Sequence, residues 1–273
     1  MNSKGRRIVE WLLIFAAIAV LVPALAWISQ DRLIFFPQPL VDTSHLPAHA
    51  HRFELRTPDG SRLAGFRLPG ETTPSPTLLY FGGNAEEISW ALADRRWPRA
   101  WSIIGLNYRG YGHSEGKPSE RELVADGVLL FDAVAAHEDI DASRIVIVGR
   151  SLGTGVAVQV AAQRPAAGVI LVSPYDSLVE IGKRHYPYLP VSWLLRHRFD
   201  SVSAAPGVKA PLLTLVGTQD GIIAPARSRA LHESWAGPGQ WVEIDGAGHN
   251  DLDASPKYWE AITRFLTALP RRS

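Results

Sequence analysis

The most restrictive feature of this sequence is a β-branched run that passes through a glycine-rich turn directly into a helical segment. Residues 144–148 have the composition of a buried strand, and residues 152–163 are rich in Ala and Val. Between them lies Gly149-Arg150-Ser151-Leu152-Gly153, whose glycines allow a sharp turn and a close approach of strand and helix. The sequence therefore predicts a strand–turn–helix unit with Ser151 at the turn.

Similar strands and helices alternate along most of the chain. A hairpin is predicted first, with strands at residues 52–57 and 62–68 joined by the turn Pro58-Asp59-Gly60. Further strands are predicted at residues 77–81, 101–107, 144–148, 168–172, 211–216 and 240–244, and helices at 86–97, 120–137, 152–163, 225–235 and 256–269. Short strands separated by helices favour an α/β fold, in which a mostly parallel sheet is flanked by helices.

Length and composition fit one large folded domain. The chain has 273 residues, of which 46% are hydrophobic and 20% are charged, as in proteins with a sizeable core. We expect the domain to span residues 52–269, after a proline-containing connector at residues 29–51. Residues 174–208 interrupt the alternation with aromatic residues and prolines, which predicts a small cap insertion.

Charge and cysteine content exclude several classes of function. With 28 basic and 27 acidic residues the net charge is +1, and no basic block offers a surface for nucleic acid. The absence of cysteine excludes disulfides, thiolate metal sites and a cysteine nucleophile. The sequence also lacks the common metal-binding and nucleotide-binding motifs, so we expect neither a metal nor a cofactor.

An apolar segment lies near the amino terminus. From Trp11 to Ile28 every residue except Pro23 is apolar. As a helix this segment would be about 27 Å long, close to the thickness of the hydrocarbon core of a bilayer. Three basic residues precede it, namely Lys4, Arg6 and Arg7, and they predict a cytoplasmic amino terminus with the rest of the chain on the non-cytoplasmic side.

Two interpretations of this segment stay open, a single-pass membrane anchor at residues 1–28 and a signal peptide. Ala24-Leu25-Ala26 matches the pattern of a cleavage site, and cleavage there would release a secreted protein. The apolar run is longer than the usual signal-peptide core of about 7–15 residues, which favours the anchor.

Ser151 has the position of a catalytic nucleophile. Backbone N–H groups at the start of a helix face the negative charge that develops during acyl transfer. A serine nucleophile also needs a histidine base and an acid that orients the histidine. Asp220 follows the strand at 211–216 and His249 follows the strand at 240–244, so we expect both beside Ser151 at one edge of the sheet. The alternative acids flank His249 itself; they are Asp245, Asp251 and Asp253.

Together these motifs resemble the α/β-hydrolase superfamily over roughly residues 52–269, and most closely its membrane-anchored serine hydrolases similar to serine-aminopeptidase-like hydrolases. The resemblance is carried by residues 79–85, 107–114, 149–153 and 173–177, by Asp220 and His249, and by the membrane-proximal residues 32–37.

The resemblance implies an oxyanion hole formed by the backbone N–H groups of Leu152 and Asn84. Relatives of this kind usually carry His-Gly-Asn where this chain has Gly82-Gly83-Asn84. The departure removes neither donor, but it raises the question of how the loop is kept rigid. Residues 109–114 are expected to brace the loop beside the site.

The implied function is a serine hydrolase that cleaves a carboxylic ester, thioester or amide through an acyl-enzyme. Its partners would be a small or lipid-like acyl substrate and the membrane. The alternatives are a peptidase of the serine-aminopeptidase type and a non-catalytic scaffold with a hydrolase-like fold.

Overall fold

The structure, a computed structural model, describes residues 3–270 and begins with one long helix. This helix, α1, spans Ser3–Ile34 and continues through Pro23. The most apolar part of its segment Glu10–Ile34 has a mean hydropathy of 2.5, and 0% of that part is buried in the protein. A membrane anchor and a signal sequence both fit such a helix, whereas a buried core helix does not.

The helix α1 extends beyond residue 28, where we expected the connector to begin. Gln30 is buried, and its side-chain oxygen accepts a hydrogen bond from the Arg196 N–H at 2.7 Å. The carboxylate of Asp31 lies 2.7 Å from the Arg196 guanidinium and 2.9 Å from the His197 ring. Because the domain binds the polar residues that follow the apolar run, they stay helical. The side chains of Lys4 and Arg6, on which the predicted orientation depends, lie outside the described residues.

Within residues 3–270 the strands form a single 8-stranded sheet. The strands are β1 (His51–Arg56), β2 (Arg62–Leu68), β3 (Ser75–Phe81), β4 (Ser102–Leu106), β5 (Ile140–Arg150), β6 (Gly168–Val172), β7 (Leu212–Gly217) and β8 (Gly239–Ile244). Their order across the sheet is β1-β2-β4-β3-β5-β6-β7-β8, and β2 is antiparallel to both of its neighbours while β3 to β8 are parallel. The predicted mostly parallel sheet is confirmed.

Helices cover both faces of this sheet. They are α2 (Ser89–Leu92), α3 (Glu120–Ala135), α4 (Leu152–Ala161), α5 (Leu178–His185), α6 (Val191–Leu194), α7 (Ser201–Ala204), α8 (Pro225–Ser234) and α9 (Pro256–Ala268). Alternate residues of the central strands enter opposite cores: Ile145 and Ile147 pack with α3 and α4, and Val146 and Val148 pack with α2 and α9. Burial on both faces explains why the sequence of β5 is continuously apolar rather than alternating.

The helix predicted at residues 86–97 is wrong, since only Ser89–Leu92 is helical there. The acidic side chains that suggest a helix bind the nearby backbone and side chains instead. Glu86 accepts a hydrogen bond from the Gly83 N–H at 2.8 Å, and Glu87 accepts one from the Asn107 amide at 2.7 Å. The Asp94 carboxylate accepts a hydrogen bond from the Arg96 N–H, and this contact closes a turn of the backbone.

A buried ion pair joins the loop after β4 to α3. The Arg109 side chain is 6% exposed and donates hydrogen bonds of 2.8 and 2.9 Å to the two oxygens of Asp126. Asp59, in the β1–β2 turn, and Glu122 also contact the Arg109 guanidinium. Removing Asp126 would leave a buried charge without its main partner, which costs much more than losing an exposed pair.

We expect Asp126→Ala to lower the free energy of unfolding by about 3 kcal/mol. As a matched control on the same helix, Asp132→Ala removes a more exposed pair with Arg164 and should cost less than about 1 kcal/mol. Denaturant unfolding followed by circular dichroism measures both values. Equal losses in the two variants would contradict the role given to the buried pair.

Candidate active site

Ser151 lies at the junction of β5 and α4 with φ 50° and ψ −119°. A positive φ is unusual for a residue with a Cβ atom, and here it turns the chain abruptly from strand to helix. The structure thus places Ser151 at the turn that the sequence predicts, at the carboxyl edge of the parallel strands.

The turn is possible because the flanking glycines allow very close backbone contact. A Cβ atom at Gly149 would lie 2.7 Å from the Gly153 carbonyl oxygen, and one at Gly153 would collide with the carbonyl oxygens of Phe81 and Gly82. The first turn of α4 therefore lies directly against the end of β3, which is where the loop with Gly82, Gly83 and Asn84 begins.

The structure brings Ser151, His249 and Asp220 together, although they are far apart in the sequence. His249 Nε2 lies 2.9 Å from Ser151 Oγ, and His249 Nδ1 lies 2.8 Å from Asp220 Oδ2. An ionised carboxylate only accepts hydrogen bonds, so the Nδ1–H donates to Asp220 and leaves Nε2 free to accept the Ser151 hydroxyl proton.

Asp220 is fixed by several donors in a fully buried position. Its side chain is 0% exposed, and its second oxygen accepts the N–H groups of Ile222 at 2.9 Å and Ile223 at 2.8 Å. Burial by itself raises the pKa of this carboxyl, but the hydrogen bonds from His249 and Ile223 outweigh that effect and hold the pKa below its usual value. Asp220 is therefore negatively charged at neutral pH.

The alternative acids make other contacts. Asp245 accepts a hydrogen bond from the Thr218 hydroxyl, and Asp251 accepts one from the Gly248 N–H at 2.7 Å. Asp253 pairs with Arg96 at 3.4 Å. The acid in contact with the His249 ring is Asp220, the residue that ends a separate strand.

Three side chains hold the loop at residues 82–84. The Tyr108 hydroxyl donates to the Gly82 carbonyl at 2.9 Å, and Glu86 accepts the Gly83 N–H at 2.8 Å. The Tyr111 hydroxyl donates to the Asn84 carbonyl at 2.6 Å. These contacts answer the question raised by the missing histidine, because the loop is braced by neighbouring side chains instead.

The end of α1 also takes part in this bracing. The Phe36 N–H, two residues beyond α1, lies 3.0 Å from the Asn84 carbonyl oxygen and 2.9 Å from the Tyr111 hydroxyl oxygen. Tyr111, which takes part in both contacts to Asn84 and Phe36, is fully buried. The amino-terminal helix is thereby connected to the loop that carries one predicted oxyanion donor.

Sequence reasoning assigned no role to Glu86 or Tyr108. Tyr111 lies within residues 109–114, which were expected to brace the loop, and its hydroxyl does contact the Asn84 carbonyl. Tyr108 lies in the motif at residues 107–114 but outside the segment to which the bracing role was given. Glu86 lies in a segment that we predicted as a helix, and a helix there gives no indication of the contacts that Glu86 makes with Gly83 and Arg150.

An apolar cavity of about 430 Å³ opens beside Ser151. Asn84 and Leu152, the predicted oxyanion donors, line it together with Ser151. The rest of the lining comes from the end of α1, from α5, α6 and the segment between them, and from Ile222 and Ile223. Its volume is in the range of pockets that bind small organic ligands.

A second cavity, of about 300 Å³, is lined by His249 and has a different character. Four charged side chains line it, namely Glu86, Asp94, Arg150 and Asp253, together with several aromatic rings. Glu86 and Arg150 form an ion pair of 3.1 Å within it. In residues 3–270, no group of three or more His, Asp or Glu side chains is arranged to hold a metal ion.

The chain is similar to several known proteins over part or nearly all of its length. The family model described as serine aminopeptidase, S33, matches residues 82–202. An uncharacterized protein of Mycobacterium tuberculosis is 37% identical over 98% of both chains. Alpha/beta hydrolase domain-containing protein 17B of Xenopus tropicalis is 30% identical over 79% of this chain and 74% of its own length.

Solved structures share the fold at lower sequence identity. An esterase of Pyrococcus furiosus superposes with a TM-score of 0.67 at 19% identity, covering 86% of this chain and 99% of that one. Acetyl xylan esterase from Paenibacillus sp. R4 gives a TM-score of 0.63 at 20% identity, covering 89% and 99%.

The sheet order, the serine at the strand–helix turn and these relatives assign the chain to the α/β-hydrolase superfamily. The predicted fold class is confirmed, and membership of this superfamily supports a hydrolase activity.

Proposed function

We propose that this protein is a membrane-anchored serine hydrolase that cleaves a carboxylic ester or thioester through an acyl-enzyme. The observation that carries the proposal is the continuous chain of contacts from Asp220 through His249 to Ser151, at the wall of an apolar cavity. A side-chain arrangement of this kind activates a serine hydroxyl that would otherwise be a weak nucleophile.

The reaction begins when Ser151 Oγ attacks the substrate carbonyl carbon and His249 Nε2 takes the hydroxyl proton. The negatively charged Asp220 stabilises the resulting imidazolium and keeps its ring in place. The N–H groups of Leu152 and Asn84 stabilise the oxyanion of the tetrahedral intermediate, at about 3 kcal/mol for each donor.

His249 then gives its proton to the departing alcohol or thiol, and the bond between the carbonyl carbon and the leaving group breaks. Water enters, His249 removes one of its protons, and the hydroxide attacks the acyl-Ser151 ester. Collapse of the second intermediate releases the carboxylic acid and returns the proton to Ser151.

The lining of the apolar cavity favours an acyl substrate over a peptide amino terminus. None of the described side chains that line it is acidic, so nothing in it would neutralise the ammonium group on which an aminopeptidase acts. Its walls are mostly aliphatic and aromatic, which suits an apolar acyl group. The charged cavity that His249 lines would accept a more polar leaving group.

We expect a fluorophosphonate probe to label the native protein covalently and to leave Ser151→Ala unlabelled, because the probe reacts with an activated serine whatever the substrate. Ser203→Ala, at an exposed serine that does not line the cavity, should label at the native rate. Gel fluorescence and intact mass measure the labelling. A folded native protein that does not label would support the non-catalytic scaffold, and labelling of Ser151→Ala would refute the nucleophile assignment.

We expect Asp220→Asn to reduce kcat by about 10³- to 10⁴-fold while the fold is kept, since the amide favours the wrong tautomer of His249. Asp245→Asn and Asp251→Asn should have far smaller effects, because neither carboxylate contacts the ring. Hydrolysis of 4-nitrophenyl butyrate gives kcat, and circular dichroism monitors folding. If either control lost more activity than Asp220→Asn, the acid would be misassigned.

We expect the protein to remain with membranes through alkaline carbonate extraction. Its intact mass should correspond to a chain that begins at or near Met1. The basic residues before the apolar run would place the catalytic domain on the non-cytoplasmic side, where protease added to right-side-out vesicles reaches it. A soluble mature chain that begins at Trp27 would instead establish cleavage after Ala26 and secretion.

A further inference from the structure

One wall of the apolar cavity is the helix α1 itself. Ala26, Gln30, Leu33 and Ile34 line the cavity, and their spacing places them on one face of the helix. Another wall is formed by α5 and α6, including Ile181 and Leu194. The cavity beside Ser151 is therefore enclosed jointly by the candidate membrane helix and the segment predicted as a cap.

This wall is held firmly in position. Besides its contact with the Arg196 N–H, Gln30 donates from its amide to the Leu194 carbonyl at 3.2 Å, so it connects α1 to the end of α6. Asp31 contacts Arg196 and His197, and the His197 ring packs edge-on against Phe35 at 5.1 Å. The end of α1 is part of the catalytic domain rather than a loose tether.

The cavity also overlaps the apolar segment that fits a membrane. Ala26 lies inside the run from Trp11 to Ile28, and Gln30 is only two residues beyond it. At about 1.5 Å per residue, Gln30 lies about 3 Å past the end of the apolar run along the helix axis. With the run in a bilayer, the cavity begins where the hydrocarbon core ends.

Exposed aromatic residues lie on the same side of the domain. Tyr186 is 49% exposed, Tyr188 97% and Trp193 89%, and they lie in and beside α6, which contacts α1. Large exposed rings are costly in water, but they are typical of the headgroup layer of a membrane. They indicate that the α5–α6 region rests on the membrane surface.

We infer that the cavity binds a long fatty acyl chain that enters from the bilayer between α1 and the α5–α6 region, and that α1 is a specificity-determining wall of the acyl site. This inference rests on the proposed function, since it concerns the acyl group that is transferred to Ser151. The substrate is accordingly a fatty acyl ester that resides in the membrane, not a short water-soluble ester.

The test measures kcat/KM for 4-nitrophenyl palmitate and 4-nitrophenyl acetate, with the full chain in detergent micelles. The native protein should prefer palmitate. Ala26→Trp narrows the cavity from the α1 side and should lower the palmitate-to-acetate ratio by about tenfold or more. Ile181→Trp narrows the cavity from α5 and should also lower the palmitate-to-acetate ratio, so a result is obtained even if one of the two variants fails to fold.

Ala24→Trp is the matched control. Ala24 is exposed, does not line the cavity, and lies about 200° around the helix from Ala26. It should leave the palmitate-to-acetate ratio unchanged. The rate of labelling by a small fluorophosphonate reports whether each variant is folded and its serine is activated.

A preference for acetate in the native protein would overturn the inference. A palmitate-to-acetate ratio at the native value in both Ala26→Trp and Ile181→Trp would also overturn it. A fall of this ratio in Ala24→Trp as large as the fall in the two cavity variants would overturn it as well. Each of these results leaves the proposed function intact, provided that Ser151 labels. Absence of labelling in the native protein would refute the proposed function itself, so the two failures are distinguishable.

Discussion

The candidate site depends on how closely α4 approaches the end of β3. Gly149 and Gly153 permit a backbone contact that any side chain would prevent, and this contact sets the positive φ of Ser151. The same approach brings the start of α4 next to the loop at residues 82–84, so Leu152 and Asn84 reach one cavity from two different elements. Asp220 and His249 follow β7 and β8, and the parallel strands β3 to β8 all end at this edge of the sheet.

The loop at residues 82–84 also depends on the amino-terminal helix. The Phe36 N–H and the Tyr111 hydroxyl meet at the carbonyl of Asn84, so the peptide unit that follows this carbonyl is held from the side of α1. In a loop with two consecutive glycines, such contacts supply the rigidity that a side chain would otherwise provide. Removal of α1 would therefore affect the candidate oxyanion loop.

The sequence predicts local features well and contacts between distant elements poorly. The strand at residues 168–172 agrees with the structure at both ends, because a β-branched run between turn residues has few alternatives. The helix predicted at residues 86–97 is wrong because Glu86 and Glu87, which favour a helix by composition, bind Gly83 and Asn107 instead. No local sequence pattern reveals these contacts. The docking of Gln30 on Arg196 joins residues 166 positions apart, so the part of α1 in the cavity wall could not be foreseen.

The rigid attachment of α1 has a consequence for how such an enzyme would meet its substrate. Because Gln30 and Asp31 bind the domain directly, a molecule anchored by α1 could not turn its cavity away from the membrane or reach far from it. Encounter then becomes a two-dimensional search within one leaflet. Turnover would depend on the mole fraction of substrate among the surrounding lipids, and inert lipid would slow it by dilution even when the amount of substrate per volume stays constant.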